Sequence, residues 1–341
     1  MPNVVIVGGA LPDDVERKLS DAHSVTSVTR EEFLRAEPPV TQAEGLILIG
    51  QPPVGAELLE RLPRLRVVAL RAVGYDKVDL AACARRGIVV CNTPEVLNRA
   101  VADLAVLHIV GALRGLAGAL RLVDGGEWTA GAVRPALAED PHGAVLGVVG
   151  AGGIGREVAR ICATGFGMQI AYCNRSGPIA GWDLPGPGRL PLPELLAISD
   201  VVSVHVPLTP ATTGLIGGAE LALMKPGSFL VNTSRGATVD EKALIGALRS
   251  GRLAGAGLDV LDPEPPYPDN PLLTMPNVMV TPHIGSSTRH TRRRMAELAA
   301  ENILRVLSGQ VALTPVEPST PADHSDSDRA ADRHDPERGH E

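Results

Sequence analysis

The chain has 341 residues, room for two domains of ordinary size. Apolar residues make up 44% but aromatic ones only 2%, so the core is built of Val, Leu, Ile and Ala, and few rings are on hand to stack bases. The formal charge of −7 argues against a nucleic-acid or anionic-membrane surface, and most of it sits from Glu317 onward, where eight acids face three arginines.

Met1-Pro2-Asn3 leads straight into an apolar run at residues 4–7, leaving no signal peptide. Further apolar runs at 46–49, Val67–Leu70 and 88–91 read as strands, and Asp13–Ser20, 57–62 and 78–86 read as helical pieces. This alternation is one α/β unit. Residues 98–122 form a long helical stretch that is apolar on nearly every side, as in a helix buried between domains or subunits. Asp103, His108 and Arg114 within it argue against a membrane span. Cys83, Cys91, Cys162 and Cys173 show no metal spacing and lie beside apolar residues, which suits buried thiols in a reducing, cytoplasmic setting.

A second α/β unit begins at Ala144. The apolar run Val145–Val149 is too short for a helix and reads as a buried parallel strand. Gly150-Ala151-Gly152-Gly153-Ile154-Gly155 then fits G-x-G-x-x-G, a helix follows from Glu157, and a further strand spans 168–173. In this context Gly150 permits a tight turn, Gly152 lets backbone approach a pyrophosphate, and Gly155 lets helix and strand pack closely. The helix N-terminus turns unpaired N–H groups toward the phosphates. A NAD-binding unit carries an acid about 20 residues after the glycines, on the ribose hydroxyls. Here Asn174, Arg175 and Ser176 stand at that place, a set that would hold a 2′-phosphate, so NADP(H) is the expected cofactor and NAD(H) the alternative.

Strands at 201–206, 229–232, 256–260 and 278–281, a helix at 241–250 and a last helix at 286–307 complete the reading. Residues 317–341 hold almost nothing apolar and are expected to be a disordered acidic tail. Three strand ends carry unusual polar residues: Val231-Asn232-Thr233-Ser234-Arg235-Gly236, the segment from Gly257 through Asp259 to Glu264-Pro265, and Thr281-Pro282-His283-Ile284-Gly285-Ser286. Ligands of open parallel sheets bind at such carboxyl ends.

These segments and the glycine turn resemble the D-2-hydroxyacid dehydrogenase family over about residues 65–309, with AVGYDKVDL at Ala72, NTP at Asn92, HVPLTPATTGLIG at His205 and MKPGSFLVNTSRG at Met224 in order. The stretches from Thr93 and Pro271 look closest to its glyoxylate and hydroxypyruvate reductase branch. The resemblance implies two Rossmann-like and flavodoxin-like α/β domains with parallel sheets and a cleft between them. The substrate domain would be residues 1–97 plus 287–316, and the cofactor domain residues 98–286. It implies an NAD(P)-dependent oxidoreductase acting on a small 2-oxo or 2-hydroxy acid and working as a homodimer through the helix at Val101. The family's Arg falls on Arg235, holding substrate, its Glu on Glu264, and its His on His283, the acid and base. Backbone N–H groups of Val73 and Gly74 would meet the substrate carboxylate. Thr233, Ser234, Asp259 and Gly285 would lie around the nicotinamide, and His205, Val206 and Pro207 around the adenosine side. Trp128 keeps a G-x-W segment, but Gly131 stands where some relatives place a second Trp. Alternatives are a D-3-phosphoglycerate dehydrogenase-like enzyme and a dinucleotide-sensing scaffold like the corepressors of the same family.

Overall fold

The computed structural model describes residues 1–129 and 138–317. The acidic tail beyond Glu317 and Gly131 lie outside the described residues. The first elements alternate as β1 (Asn3–Val7), α1 (Asp13–Ser20), β2 (Ser24–Val28), α2 (Arg30–Arg35), β3 (Gly45–Leu48), α3 (Ala56–Glu60), β4 (Val67–Leu70), α4 (Leu80–Arg85) and β5 (Val89–Cys91). Their strands make a parallel sheet in the order β2-β1-β3-β4-β5, a flavodoxin-like order. Then come α5 (Asn98–Leu113), α6 (Leu116–Asp124), β6 (Val145–Val149), α7 (Gly153–Phe166), β7 (Gln169–Cys173), β8 (Gly188–Arg189), α8 (Leu192–Ile198), β9 (Val201–Val204), α9 (Gly218–Leu223), β10 (Ser228–Asn232), α10 (Glu241–Arg249), β11 (Leu253–Leu258), β12 (Val278–Val280) and α11 (Arg289–Leu307). The second parallel sheet runs β12-β11-β10-β9-β6-β7-β8 and turns back between β6 and β9, as a Rossmann sheet does.

Alternation along each strand puts apolar side chains on both faces, so the strands read as unbroken apolar runs. In the first sheet Val5, Val7, Leu46, Leu48, Val68 and Leu70 form one cluster with Phe33, Leu59 and Leu62. Val4, Ile6, Ile47, Val67 and Ala69 form the opposite one, covered by α1 and by Ala296, Ala299, Ala300, Ile303 and Leu307 of α11. The last helix therefore returns to the sheet that opened the chain. Thr288 starts it, its Oγ1 accepting the Thr291 N–H at 3.2 Å, so the helix begins three residues later than the sequence suggests.

The single long helix expected over 98–122 is broken. Gly115 has φ +62°, a conformation only glycine takes at no steric cost, and α5 and α6 meet at a bend of 76°. Helix α5 packs Ala102, Ala105, Ile109 and Leu113 beside Val148 and Val231, whereas α6 has no buried residue. Neither is apolar-buried all round: Leu107, Leu120 and Val123 are 51%, 51% and 53% exposed. Among the described residues no single helix is long and apolar enough to cross a membrane; the bent pair α5 and α6 passes only jointly, and α5 is largely buried.

Candidate active site

The glycine turn leaves β6 at Gly150, φ +94°, and enters α7 at Gly153 with no side-chain cap on its first N–H groups. A methyl group on Gly155 would overlap the Gly150 carbonyl, and one on Gly150 would lie 2.8 Å from Val206 Cγ1 and 2.9 Å from the His205 carbonyl. The glycines thus press the helix onto the strand and the 205–207 segment onto the turn. Gly153 packs under the Asn98 side chain, Ile154 on Leu97, Val101 and Met295, and nothing stands within 4 Å of a Cβ built on Gly152. The cradle is open where a pyrophosphate needs close backbone approach. At the end of β7 Asn174 donates to Ser176 Oγ at 3.2 Å, while Arg175 and Ser176 are exposed. Asn174 Oδ1 and Thr233 Oγ1 are buried polar atoms without a partner among the described residues, and the Pro207 carbonyl accepts from Thr212 Oγ1 at 2.6 Å. The residues fit a dinucleotide.

On the far side of the turn His283 Nδ1 lies 2.8 Å from Glu264 Oε2. His283 is held at φ +53°, uncommon for a residue with a Cβ and a mark of functional sites. The restraint comes from Asp259, only 2% exposed. Its carbonyl accepts the His283 N–H at 2.9 Å, and its carboxylate accepts from Ile284 N–H at 2.8 Å, Gly285 N–H at 2.9 Å and Thr281 Oγ1 at 2.6 Å. Since the Thr281 hydroxyl hydrogen is spent on Asp259, His108 Nε2, 2.9 Å away, must donate to it. Burial alone would raise the Glu264 carboxyl, but the hydrogen bond and charge of His283, the Leu261 N–H and the charge of Arg235 outweigh it and hold it below the usual carboxylate range. Glu264 is therefore an anion at neutral pH.

Arg235 reaches across to the first sheet. Its Nε donates to Asp76 Oδ1 at 3.0 Å and its Nη1 to the Ser234 carbonyl at 2.8 Å, while a methyl on Gly74 would overlap Nη2. Gln51 Nε2 donates to the Gly74 carbonyl and Asn92 Nδ2 to the Val73 carbonyl, both at 2.8 Å, so the 73–76 loop is anchored where it meets the guanidinium. Glycine is needed at 74 because no side chain fits between loop and guanidinium. The structure thus pairs Glu264 with His283, brings the charge of Arg235 to bear on Glu264, sets Arg235 against Gly74, and places Asp259 on the backbone of His283 and Gly285. Sequence reasoning missed Asp76, Gln51, Asn92 and His108. Asp76 and Asn92 carried a signal, their places inside AVGYDKVDL and NTP.

Burial pushes His205 down to about 4, with its Nε2 2.8 Å from Ser203 Oγ, and lowers His108 as well. Both groups gain protons on unfolding below the ordinary value of about 6.5, so this stability is whole above that pH and is lost as pH falls toward 4. Urea midpoints should therefore drop between about pH 7 and about pH 4.5, and less steeply in His205→Asn. Parallel slopes for the two proteins would show that His205 does not titrate this way.

Residues 106–285 match the family model of the D-isomer specific 2-hydroxyacid dehydrogenase NAD-binding domain. The chain is 44% identical over 274 residues to a glyoxylate reductase of Korarchaeum cryptofilum, covering 80% of this chain and 82% of that one. It is 38% identical over 317 residues to glyoxylate/hydroxypyruvate reductase B of Klebsiella pneumoniae, covering 92% and 98%. The crystal structure of an NADPH-dependent glyoxylate/hydroxypyruvate reductase from Sinorhizobium meliloti, in complex with NADP and malonate, superposes with a TM-score of 0.83 at 34% identity over 93% of this chain and 97% of that one. The chain belongs to the D-isomer specific 2-hydroxyacid dehydrogenase family and is an NAD(P)-dependent oxidoreductase.

Proposed function

We propose that the protein reduces small 2-oxo acids, glyoxylate and hydroxypyruvate among them, and oxidises D-2-hydroxy acids in reverse. The observation that carries this reading is the His283–Glu264 pair, 2.8 Å apart, set beside an Arg235 that lies against the Gly74 backbone. The N–H groups of Val73 and Gly74 and the Arg235 fork receive the substrate carboxylate. Arg235 also polarises the oxo group, and His283 Nε2 donates the proton to its oxygen, with Glu264 on Nδ1 holding the ring in place. When bound, the reduced nicotinamide supplies the hydride. Gly150, Gly152, Gly153, Ile154 and Gly155 hold the pyrophosphate. His205, Val206 and Pro207 line the adenosine side, and Thr233, Ser234, Asp259 and Gly285 the nicotinamide side. The named relatives support the substrate class.

NADPH is the preferred cofactor in this reading, because no acid stands at the end of β7 and Arg175 does. Arg175→Ala should weaken NADPH binding by roughly 1.5–3 kcal/mol, the scale of a charge-assisted contact, and hardly touch NADH. Equal loss for both, by fluorescence titration, would mean that Arg175 only supports the loop. Residues 1–97 with 287–316 make the substrate domain and 98–286 the cofactor domain. The exposed Leu107, Leu120, Val123 and Trp128 form the homodimer face. Steady-state oxidation of NADPH by a panel of 2-oxo acids tests the reading. Turnover with glyoxylate and hydroxypyruvate supports it, and none with any acid would favour a dinucleotide-sensing scaffold.

A further inference from the structure

Two cations border the substrate loop without an ion pair among the described residues. Arg71 follows the last residue of β4 and precedes Ala72 and Val73, with its N–H on the Leu48 carbonyl at 3.0 Å. It stands at the carboxyl edge of the first sheet, where ligands of parallel sheets bind. Its Nε is buried with no hydrogen-bond partner among the described residues. Arg292 lies in the first turn of α11, three residues before Met295, so the two share a helix face. Met295 packs in the cluster that receives Val73, which brings this face to the same loop. The one polar side-chain partner of Arg292 among the described residues is Ser287 Oγ, 2.9 Å from Nη2.

Burial lowers both guanidinium groups, and the charge that acts on Arg71 is Arg292, a second cation. The contrast with their neighbours is sharp. Arg293 is paired with Asp14 and Glu297, Arg294 with Glu297, and Arg66 with Glu44. Neither Arg71 nor Arg292 forms an ion pair among the described residues. Two partly desolvated like charges cost free energy unless an anion joins them.

We infer that Arg71 and Arg292 form a subsite for a second anionic group, a carboxylate or phosphate, on the chain of the 2-oxo acid substrate. The inference rests on the proposed reductase reading and extends it. With the first carboxylate on Val73, Gly74 and Arg235 and the oxo group toward His283, the remaining substituent of the oxo carbon turns to the flank that the two arginines border. Guanidinium forks match either anion in a bidentate way. The preferred substrate is then a doubly anionic 2-oxo acid, and glyoxylate is turned over as its shortest, uncharged-tail analogue.

The test is kcat/KM at saturating NADPH for oxaloacetate, 2-oxoglutarate and phosphohydroxypyruvate, each divided by the value for 2-oxobutyrate, with glyoxylate alongside. At least one ratio should exceed about ten in the wild type, and Arg71→Gln and Arg292→Gln should each lower it about tenfold or more. Arg71→Lys, which keeps the charge and loses the fork, should fall between. The dicarboxylate and phosphate arms tell which anion is read. Ratios below one for every doubly anionic acid, or a ratio that survives both Gln substitutions, would overturn the subsite. Glyoxylate turnover without the preference sinks the subsite and leaves the reductase standing, whereas no turnover with any acid sinks both.

Discussion

Replacing His283 with alanine is expected to lower kcat for 2-oxo acid reduction by about 10²–10⁴-fold, the range of a positioned general acid. The structure gives three reasons for a loss of that size. Glu264 occupies Nδ1 at 2.8 Å, which leaves Nε2 as the one ring atom able to hand a proton to the substrate. Asp259 holds the backbone on both sides, through the His283 and Gly285 N–H groups, so the imidazole is placed before substrate arrives. Neither His108 nor His205 can take its place, since His108 is buried with its Nε2 donated to Thr281 and His205 is held neutral by burial. NADPH affinity should survive, because His283 is assigned to the substrate. Steady-state kcat and an equilibrium NADPH titration on the same preparation check both halves. Wild-type turnover in His283→Ala at neutral pH would sink the mechanism.

Arg235→Ala should raise KM and lower kcat together, with kcat/KM down by about 10²–10⁴-fold, because the fork meets substrate in ground and transition states alike. The guanidinium is already spent on two sides, Nε on Asp76 and Nη1 on the Ser234 carbonyl, so its third nitrogen is aimed and not free to wander. Arg235→Lys should rescue little. A single ammonium cannot hold Asp76, keep its place under the Gly74 backbone and still present a donor to the carboxylate. Alanine also strands the mostly buried Asp76 carboxylate, its side chain 12% exposed, so some loss of stability should accompany the kinetic one. A pure KM effect, or full rescue by lysine, would show that Arg235 acts as a distant charge.

The buried strands were legible because burial on both faces leaves only apolar side chains at Val67–Leu70, and Val and Leu around a single Gly147 at Val145–Val149. The edge strand β2 was not. SVTSV is mostly exposed, so its polar residues broke the apolar run that announced the others. The break at Gly115 was hidden for another reason: an isolated glycine inside an apolar helical pattern is tolerated, and only packing decides whether it turns. At the site, Arg235, Glu264 and His283 stood out as polar residues at strand ends and in a family order. Asp76 and Arg235 are 159 residues apart, His108 and Thr281 173 apart, and no periodicity links such pairs. Arg71 gave no sign in the sequence, since an Arg after a strand is ordinary until the fold leaves it without an ion pair among the described residues.

The most direct test of the central claim, that a carboxylate-held imidazole passes the proton between oxo and hydroxy acid, is a pair of pH profiles of kcat/KM, one for each direction. Reduction passes a proton to the substrate and oxidation takes one from it, so reduction should slow and oxidation quicken as pH rises. Glu264→Gln keeps the shape and removes the anion 2.8 Å from Nδ1, so kcat/KM should fall in both directions, with turnover still measurable. Profiles that are flat in both directions, or a Glu264→Gln enzyme as fast as the wild type, would contradict the account.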